Sequence, residues 1–114
     1  MNNDDTTEFD AKSYWENRLN KNFGLHGTGY LGFGKQFNNW LYRVKKKTFL
    51  KTIDKLNLDI RSMDIIDIGS GTGFYIELWE ALYPRMIVGT DITEISVKNL
   101  KEKFSSGKFF RLDI

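Results

Sequence analysis

The sequence predicts an α/β fold in which a helical region precedes a three-stranded parallel sheet. Short β-branched segments alternate with amphipathic segments over residues 63–112, and a glycine-rich turn follows the first of them. Before residue 62 the apolar residues recur with a helical period instead. Strand–helix–strand–helix–strand order with short links produces a parallel sheet with right-handed crossovers.

Composition limits the classes of protein that fit. A chain of 114 residues is long enough for one domain with its own core. Its net charge of +2 does not predict a polyanionic partner. The chain has no cysteine, which excludes disulfides and thiolate metal sites, and no other residue spacing indicates a metal. Apolar runs are too short for a membrane span, and the polar, acidic start is not a secretory signal, so we expect a cytoplasmic location.

The first elements are predicted to be helical. Residues 1–7 are expected to form a disordered tail, and Thr7 with Asp10 resembles a capping box that opens a helix over 9–19. A glycine-dense loop is predicted over 24–34, because glycine destabilises helices. The helical period returns over 35–56, where the apolar set is Phe37, Trp40, Leu41, Val44, Thr48, Phe49, Ile53 and Leu56. On residue type, we expect Trp15 and Trp40 to pack in the core.

Basic residues cluster on this second helix. The cluster comprises Arg43, Lys45, Lys46, Lys47, Lys51 and Lys55. We interpret it as the solvated face of the helix, and a patch that binds RNA or an acidic membrane is the alternative.

The sheet region is predicted element by element. Strands are expected over 63–68, 86–91 and 108–112, since these runs are short, apolar and bounded by turn residues. Helices are expected over 72–82, ending near Tyr83 and Pro84, and over 93–104.

The turn after the first strand carries the functional signal. It reads Asp67-Ile68-Gly69-Ser70-Gly71-Thr72-Gly73-Phe74 and lies at the carboxyl edge of the predicted sheet, where α/β proteins bind ligands. Its glycines allow positive φ and a close approach of the backbone to a ligand. No lysine follows Gly73, which excludes a phosphate-binding P-loop. Phe74 occupies the position where a dinucleotide fingerprint needs glycine.

This Asp-x-Gly-x-Gly-x-Gly pattern resembles the first motif of class I S-adenosylmethionine-dependent methyltransferases. The resemblance implies a partial Rossmann-like sheet and S-adenosyl-L-methionine as cofactor, with S-adenosyl-L-homocysteine as product. The turn residues Gly69, Ser70, Gly71, Thr72 and Gly73 would then accommodate the amino-acid part of the cofactor. Asp67 would help to fix the turn and the ammonium group.

Two further strand ends match the same family. Asp91 ends the second strand, 18 residues after Gly73, and the family's acid at this place accepts hydrogen bonds from the ribose hydroxyls. Ile92 matches the residue that packs on adenine. Asp113, after the third strand, matches the acid that bonds the adenine amino group.

The N-terminal region resembles the helical cap of many bacterial small-molecule methyltransferases. This likeness divides the chain into a tail (1–7), a helical cap (8–61) and the first half of the cofactor-binding domain (62–114). Tyr14, His26, Tyr30 and Arg43 are candidates to face the ligands. His26 could serve as a general base, but a loop histidine without a partner is more often a bystander.

The family's complete fold has a seven-stranded sheet, so we expect the chain to be an N-terminal fragment of a truncated class I methyltransferase fold. Its first strand would be an uncovered edge through which the chain could self-associate. The residues that bind the acceptor would be mostly absent, and no catalytic residue can be named.

The leading function is therefore transfer of a methyl group to a small-molecule acceptor, with nucleic acid not expected as a partner. The runner-up is a non-catalytic cofactor-binding or interaction module that a partner chain completes. A nicotinamide-dependent oxidoreductase is the third possibility, against which Gly73 and Phe74 argue.

Overall fold

The computed structural model describes residues 10–21 and 34–113. In chain order it contains α1 (Ala11–Lys21), α2 (Gly34–Leu56), a 3-10 turn (Ile60–Ser62), β1 (Asp64–Ile68), α3 (Phe74–Glu80), β2 (Met86–Asp91), α4 (Glu94–Lys103) and β3 (Lys108–Arg111). The predicted tail, Thr7 and most of the glycine-dense segment, including His26 and Tyr30, lie outside the described residues. The proposed division of the chain at residue 61 stays a prediction.

The three strands form one parallel sheet in the order β1-β2-β3. Ile66 lies opposite Val88, and Val88 lies opposite Lys108. The predicted α/β class and partial Rossmann-like architecture are confirmed. Within the described part of the chain β1 is an edge strand.

One face of the sheet carries the core. The connections from β1 to β2 and from β2 to β3 are both expected to be right-handed. Because the strand order is β1-β2-β3, α3 and α4 then pack on the same face of the sheet. The buried cluster consists of Ile76, Ile87, Val97, Leu100, Phe104 and Phe109. Side chains alternate between faces along a strand, so Ile66, Ile68 and Phe110 point to the other side, where they are 67%, 65% and 55% exposed. We call these three residues the bare sheet face.

Helix α1 begins two residues later than predicted because Asp10 itself is the cap. The Lys12 amide donates to Asp10 Oδ1 at 3.2 Å, and Ser13 Oγ donates to Asp10 Oδ2 at 2.6 Å. A side-chain oxygen that accepts from the second helical amide is the usual N-cap arrangement.

Helix α2 packs on α3 through aromatic rings. The Tyr42 ring lies 4.8 Å from that of Phe74, and the Phe49 ring lies 4.8 Å from that of Trp79. The later residue of α2 contacts the later residue of α3, so the two helices run in the same direction. Because α3 follows the carboxyl end of β1, both helices run away from the carboxyl edge of the sheet.

The predicted core-facing stripe of α2 is partly wrong. Trp40, Val44 and Leu56 are exposed, whereas Asn38 and Tyr42 are buried. Apolar residues occur on several sides of this helix, and among the described elements its ring contacts with α3 are made by Tyr42 and Phe49. No helix within 10–21 or 34–113 has the length and apolarity to cross a membrane.

Candidate functional site

The turn between β1 and α3 depends on its glycines for different reasons. Gly69, Gly71 and Gly73 have φ of 72°, 56° and 89°, values that other residues adopt only with strain. A Cβ on Gly69 would meet no atom within 4 Å, whereas a Cβ on Gly73 would lie 2.5 Å from Phe104 Cε2. Gly69 therefore leaves space open above the sheet, and Gly73 lets α4 pack closely beneath the turn.

Hydrogen bonds hold this turn against the end of β2. The Ser70 amide donates to the Thr90 carbonyl at 2.8 Å, and Ser70 Oγ donates to the Asp67 carbonyl at 2.9 Å. The Gly71 amide donates to Asp91 Oδ2 at 2.8 Å. The backbone of the turn and the carboxylate of Asp91, 20 residues apart, are thus in direct contact.

The Asp91 carboxylate is nearly buried and makes three bonds within the protein. Besides the bond from Gly71, its Oδ1 accepts from the Thr93 amide at 2.9 Å and from Thr93 Oγ1 at 2.8 Å. Thr93 in turn caps α4, its side chain accepting from the Ser96 amide. An ionised carboxylate has about four acceptor sites. A ligand that occupies two of them must therefore displace one of these internal bonds, and the bond from Gly71 faces the ligand side.

A hollow of about 420 Å³ opens at this point, within the size range of small-molecule sites. It is lined by Trp15, Leu19, Ile68, Gly69, Gly71, Thr90, Asp91, Ile92 and Leu112. Among the residues predicted to bind the cofactor, the structure brings Gly69, Gly71, Asp91 and Ile92 together around this space.

The other predicted site residues are not among its lining residues. Ser70 and Thr72 are buried within the turn, and Gly73 lies against Leu100 and Phe104 of α4 and its C-terminal end. Asp113 is exposed two residues beyond β3, while its neighbour Leu112 lines the hollow. Their contact with a cofactor stays a prediction.

Asp67, the remaining predicted site residue, is not among the residues that line the hollow, but its carboxylate lies near enough to Asp91 for the two charges to interact. Burial raises the pKa of Asp67 above its ordinary value, the negative charge of Asp91 raises it further, and a hydrogen bond from Ser70 opposes the change. None of the ion pairs formed within residues 10–21 and 34–113 includes either acid. A cationic group in the hollow would therefore be stabilised by charge.

Helix α1 covers the hollow, which the sequence did not predict for Trp15. Trp15 and Leu19, four residues apart on one helical face, both line it. Glu94 of α4 makes two contacts with α1. The Glu94 amide donates to Glu16 Oε1 at 3.4 Å, and the Glu94 carboxylate lies 4.0 Å from Lys12 Nζ. The expectation for Trp15 relied on residue type, which predicted core packing instead. Tyr14 and Arg43 do not line the hollow.

Comparison with known proteins agrees with this geometry. A family model described as the mRNA (guanine-N(7))-methyltransferase domain matches residues 13–111, from α1 through β3. The crystal structure of Thermoplasma acidophilum 1320 is similar in fold, with a TM-score of 0.53 and 20% sequence identity. The alignment covers 92% of this chain and 47% of that one, so the chain spans about half the length of the structure that it matches.

The family match contradicts one prediction. We expected a small-molecule acceptor and no nucleic-acid partner, but the family's description names mRNA. The small-molecule acceptor was inferred from the likeness of the N-terminal region to the helical cap of bacterial small-molecule methyltransferases. The absence of a nucleic-acid partner was inferred from the net charge of the whole chain, although the basic cluster on the second helix left an RNA-binding patch as the alternative.

Proposed function

The chain belongs to the mRNA (guanine-N(7))-methyltransferase domain family, which is a class I S-adenosylmethionine-dependent methyltransferase family, and from this premise we propose both its cofactor site and its acceptor. The chain binds S-adenosylmethionine in the hollow at the carboxyl edge of the sheet. The whole protein, of which this chain supplies that site, transfers the methyl group to N7 of a guanine in RNA.

One observation supports the cofactor site above the others. The glycine turn and the Asp91 carboxylate share one hollow, with Gly71 N and Asp91 Oδ2 2.8 Å apart. A class I site needs these two features within the length of one adenosyl ligand, and a carboxylate pointing elsewhere would have argued against it.

The chemistry of the hollow fits the cofactor. S-adenosylmethionine supplies a methyl carbon activated by a sulfonium, and it also carries an ammonium group. Asp91, which lines the hollow, provides the negative charge that such a ligand needs, and the charge of Asp67 lies close behind it. Neither acid takes part in an ion pair among the described residues. We assign the amino-acid end to the turn at Gly69 and Gly71, the ribose to Asp91, and the adenine to Ile92.

The proposed acceptor atom requires no general base. Guanine N7 is a hydrogen-bond acceptor and carries a lone pair but no proton, so no base has to remove one. The protein's contribution is then to align the acceptor and to exclude water. Trp15 and Leu19, which line the hollow from α1, provide an apolar cover for that purpose.

The cofactor site is tested by titrating S-adenosylhomocysteine into the protein in a calorimeter. We expect saturable binding, and NAD, the ligand of the oxidoreductase alternative, should produce no heat. If S-adenosylhomocysteine does not bind at millimolar concentration, the site assignment is wrong.

The acceptor is tested by incubating the whole protein with labelled S-adenosylmethionine and a short transcript whose 5′ end carries a guanine cap. We expect N7-methylguanine after nuclease digestion and mass spectrometry. A matched transcript with 7-deazaguanine in the cap lacks the acceptor nitrogen and should remain unmodified. Equal methylation of both transcripts would refute N7 as the acceptor while leaving the cofactor site intact.

A further inference from the structure

The positive charge of the chain is concentrated on α2. This helix carries seven basic side chains and one acidic one, Asp54, whereas the rest of the chain has ten basic and fourteen acidic ones. The net charge of +2 therefore hides a strongly basic helix on an otherwise acidic protein.

The exposed basic residues of α2 lie along its outer side. We call Arg43, Lys46, Lys47, Lys51 and Lys55 the basic ridge, and all five are exposed. Arg43, Lys47, Lys51 and Lys55 are spaced four residues apart, so successive charges rise by about 6 Å along the helix axis. No ion pair within residues 10–21 and 34–113 involves any of them, so the field of the ridge is not neutralised there.

An aromatic ring belongs to the same surface. Trp40 is 54% exposed and precedes Arg43 by three residues and Lys47 by seven, which places it on the same side of the helix. Its ring lies 5.9 Å from that of Phe37. Exposed aromatic rings combined with a row of cations are the features by which proteins bind single-stranded nucleic acid, through base stacking and phosphate contacts.

A membrane fits this helix less well than RNA. An amphipathic helix that binds lipid inserts its apolar face between the headgroups. Two rings of α2 are already engaged within the protein, because Tyr42 packs on Phe74 and Phe49 packs on Trp79. Val44, Leu50 and Leu56 are also exposed, but Val44 and Leu50 lie between cations of the ridge around the helix and do not form a separate apolar face.

We propose that the basic ridge and Trp40 bind the phosphate backbone and a base of the single-stranded RNA that carries the acceptor guanine. Phe74 directly follows the glycine turn, and Tyr42 packs on it, so α2 leads away from the cofactor hollow. RNA held at the hollow can therefore continue along the ridge. The identity of the RNA as substrate rests on the proposed function, whereas its attachment to α2 rests on the charge and exposure of this helix.

The test measures binding of a fluorescein-labelled, uncapped pyrimidine RNA of 20 nucleotides by anisotropy over a salt series. The ridge variant Lys46→Gln/Lys47→Gln/Lys51→Gln should bind at least about tenfold more weakly, and its log–log salt slope should fall by about 2, at about 0.7 per lost phosphate contact. The charge-matched control Lys98→Gln/Lys101→Gln/Lys108→Gln, which removes three exposed cations elsewhere, should stay within about twofold of the wild type.

Trp40 is tested by the same measurement. Trp40→Ala should weaken binding about tenfold, whereas Trp40→Phe, which keeps a stacking ring, should remain near the wild type. Circular dichroism melts of all variants should coincide with the wild type, because the altered side chains are exposed.

Three results would overturn the proposal. The first is an equal loss of RNA affinity in the ridge variant and its charge-matched control, and the second is no RNA binding at all. The third is ridge-dependent binding to phosphatidylserine vesicles in place of RNA. Because the RNA is uncapped and no cofactor is added, these results leave the cofactor and acceptor assignments untouched. Ridge-dependent RNA binding without N7 methylation by the whole protein would instead refute the proposed function alone.

Discussion

Replacing Asp91 by asparagine tests whether its carboxylate fastens the glycine turn. Asparagine has the same shape but only one acceptor oxygen. If that oxygen keeps both bonds from Thr93, the amide NH₂ group faces the Gly71 N–H, donor against donor. The bond from Gly71 to the carboxylate, 2.8 Å long, is then lost.

The magnitude follows from the bond that disappears. A hydrogen bond to a charged group contributes about 1.5–3 kcal/mol. Because Gly71 lines the open hollow, water can satisfy its freed N–H, and no further desolvation penalty is added. We therefore expect a loss of about 2 kcal/mol in the free energy of unfolding, which lowers the melting temperature by about 10 °C for a domain of this size.

The assay is thermal unfolding followed by circular dichroism at 222 nm, with Asp113→Asn as the control because that carboxylate is exposed. The control should melt with the wild type. In calorimetry well below the melting temperature, Asp91→Asn should also bind S-adenosylhomocysteine at least about tenfold more weakly. An Asp91→Asn protein that melts within about 2 °C of the wild type would refute the role of Asp91 as the fastener of the turn.

Three further outcomes are expected. In urea denaturation Gly69→Ala should destabilise the protein by about 1 kcal/mol, because its φ is positive. Gly73→Ala should destabilise it by about 2–4 kcal/mol, because the added Cβ also collides with Phe104. A larger loss for Gly69→Ala than for Gly73→Ala would contradict the roles given to the two glycines. Asp67→Asn should raise the melting temperature near neutral pH, because burial makes the Asp67 charge unfavourable and raises its pKa. This advantage should shrink as the pH falls through the raised pKa, because the wild-type carboxyl then takes up its proton. A difference in melting temperature that does not change between about pH 4 and 8 would show that the charge of Asp67 does not destabilise the fold. Thr93→Ala should lower the free energy of unfolding by about 1–2 kcal/mol, whereas Thr93→Ser, which keeps the hydroxyl, should retain most of the stability of the wild type. Equal urea midpoints for these two variants would show that the Thr93 side chain does not cap α4.

The local pattern was sufficient to place the sheet elements. β2 has the predicted bounds, and β1 and β3 differ from prediction by one residue each. These strands are short, apolar and bounded by turn residues, so their signals lie within a few neighbouring positions. The glycine turn was located for the same reason, because its glycines lie within a few consecutive residues and indicate positive φ at those positions.

The predictions that were wrong or missing depend on which helices and strands pack against each other, and the local sequence does not contain this information. Trp40 and Trp15 have similar sequence signals, yet one is exposed and the other lines the hollow, because only the packing of α2 on α3 and of α1 on α4 separates them. The bond between Gly71 and Asp91 spans 20 residues and has no local signature. The expectation of no nucleic-acid partner, which the family's description contradicts, relied on the net charge, while the basic cluster of α2 was interpreted as a solvated face.

The bare sheet face has a practical consequence for every melting experiment above. Ile66, Ile68 and Phe110, each more than half exposed, present the kind of apolar patch to which environment-sensitive dyes such as anilinonaphthalene sulfonate adsorb. The 114-residue chain should therefore fluoresce with such a dye before any heating. Dye-based thermal shift would start from a high baseline and could resemble a molten state, whereas circular dichroism and tryptophan emission would follow the real transition.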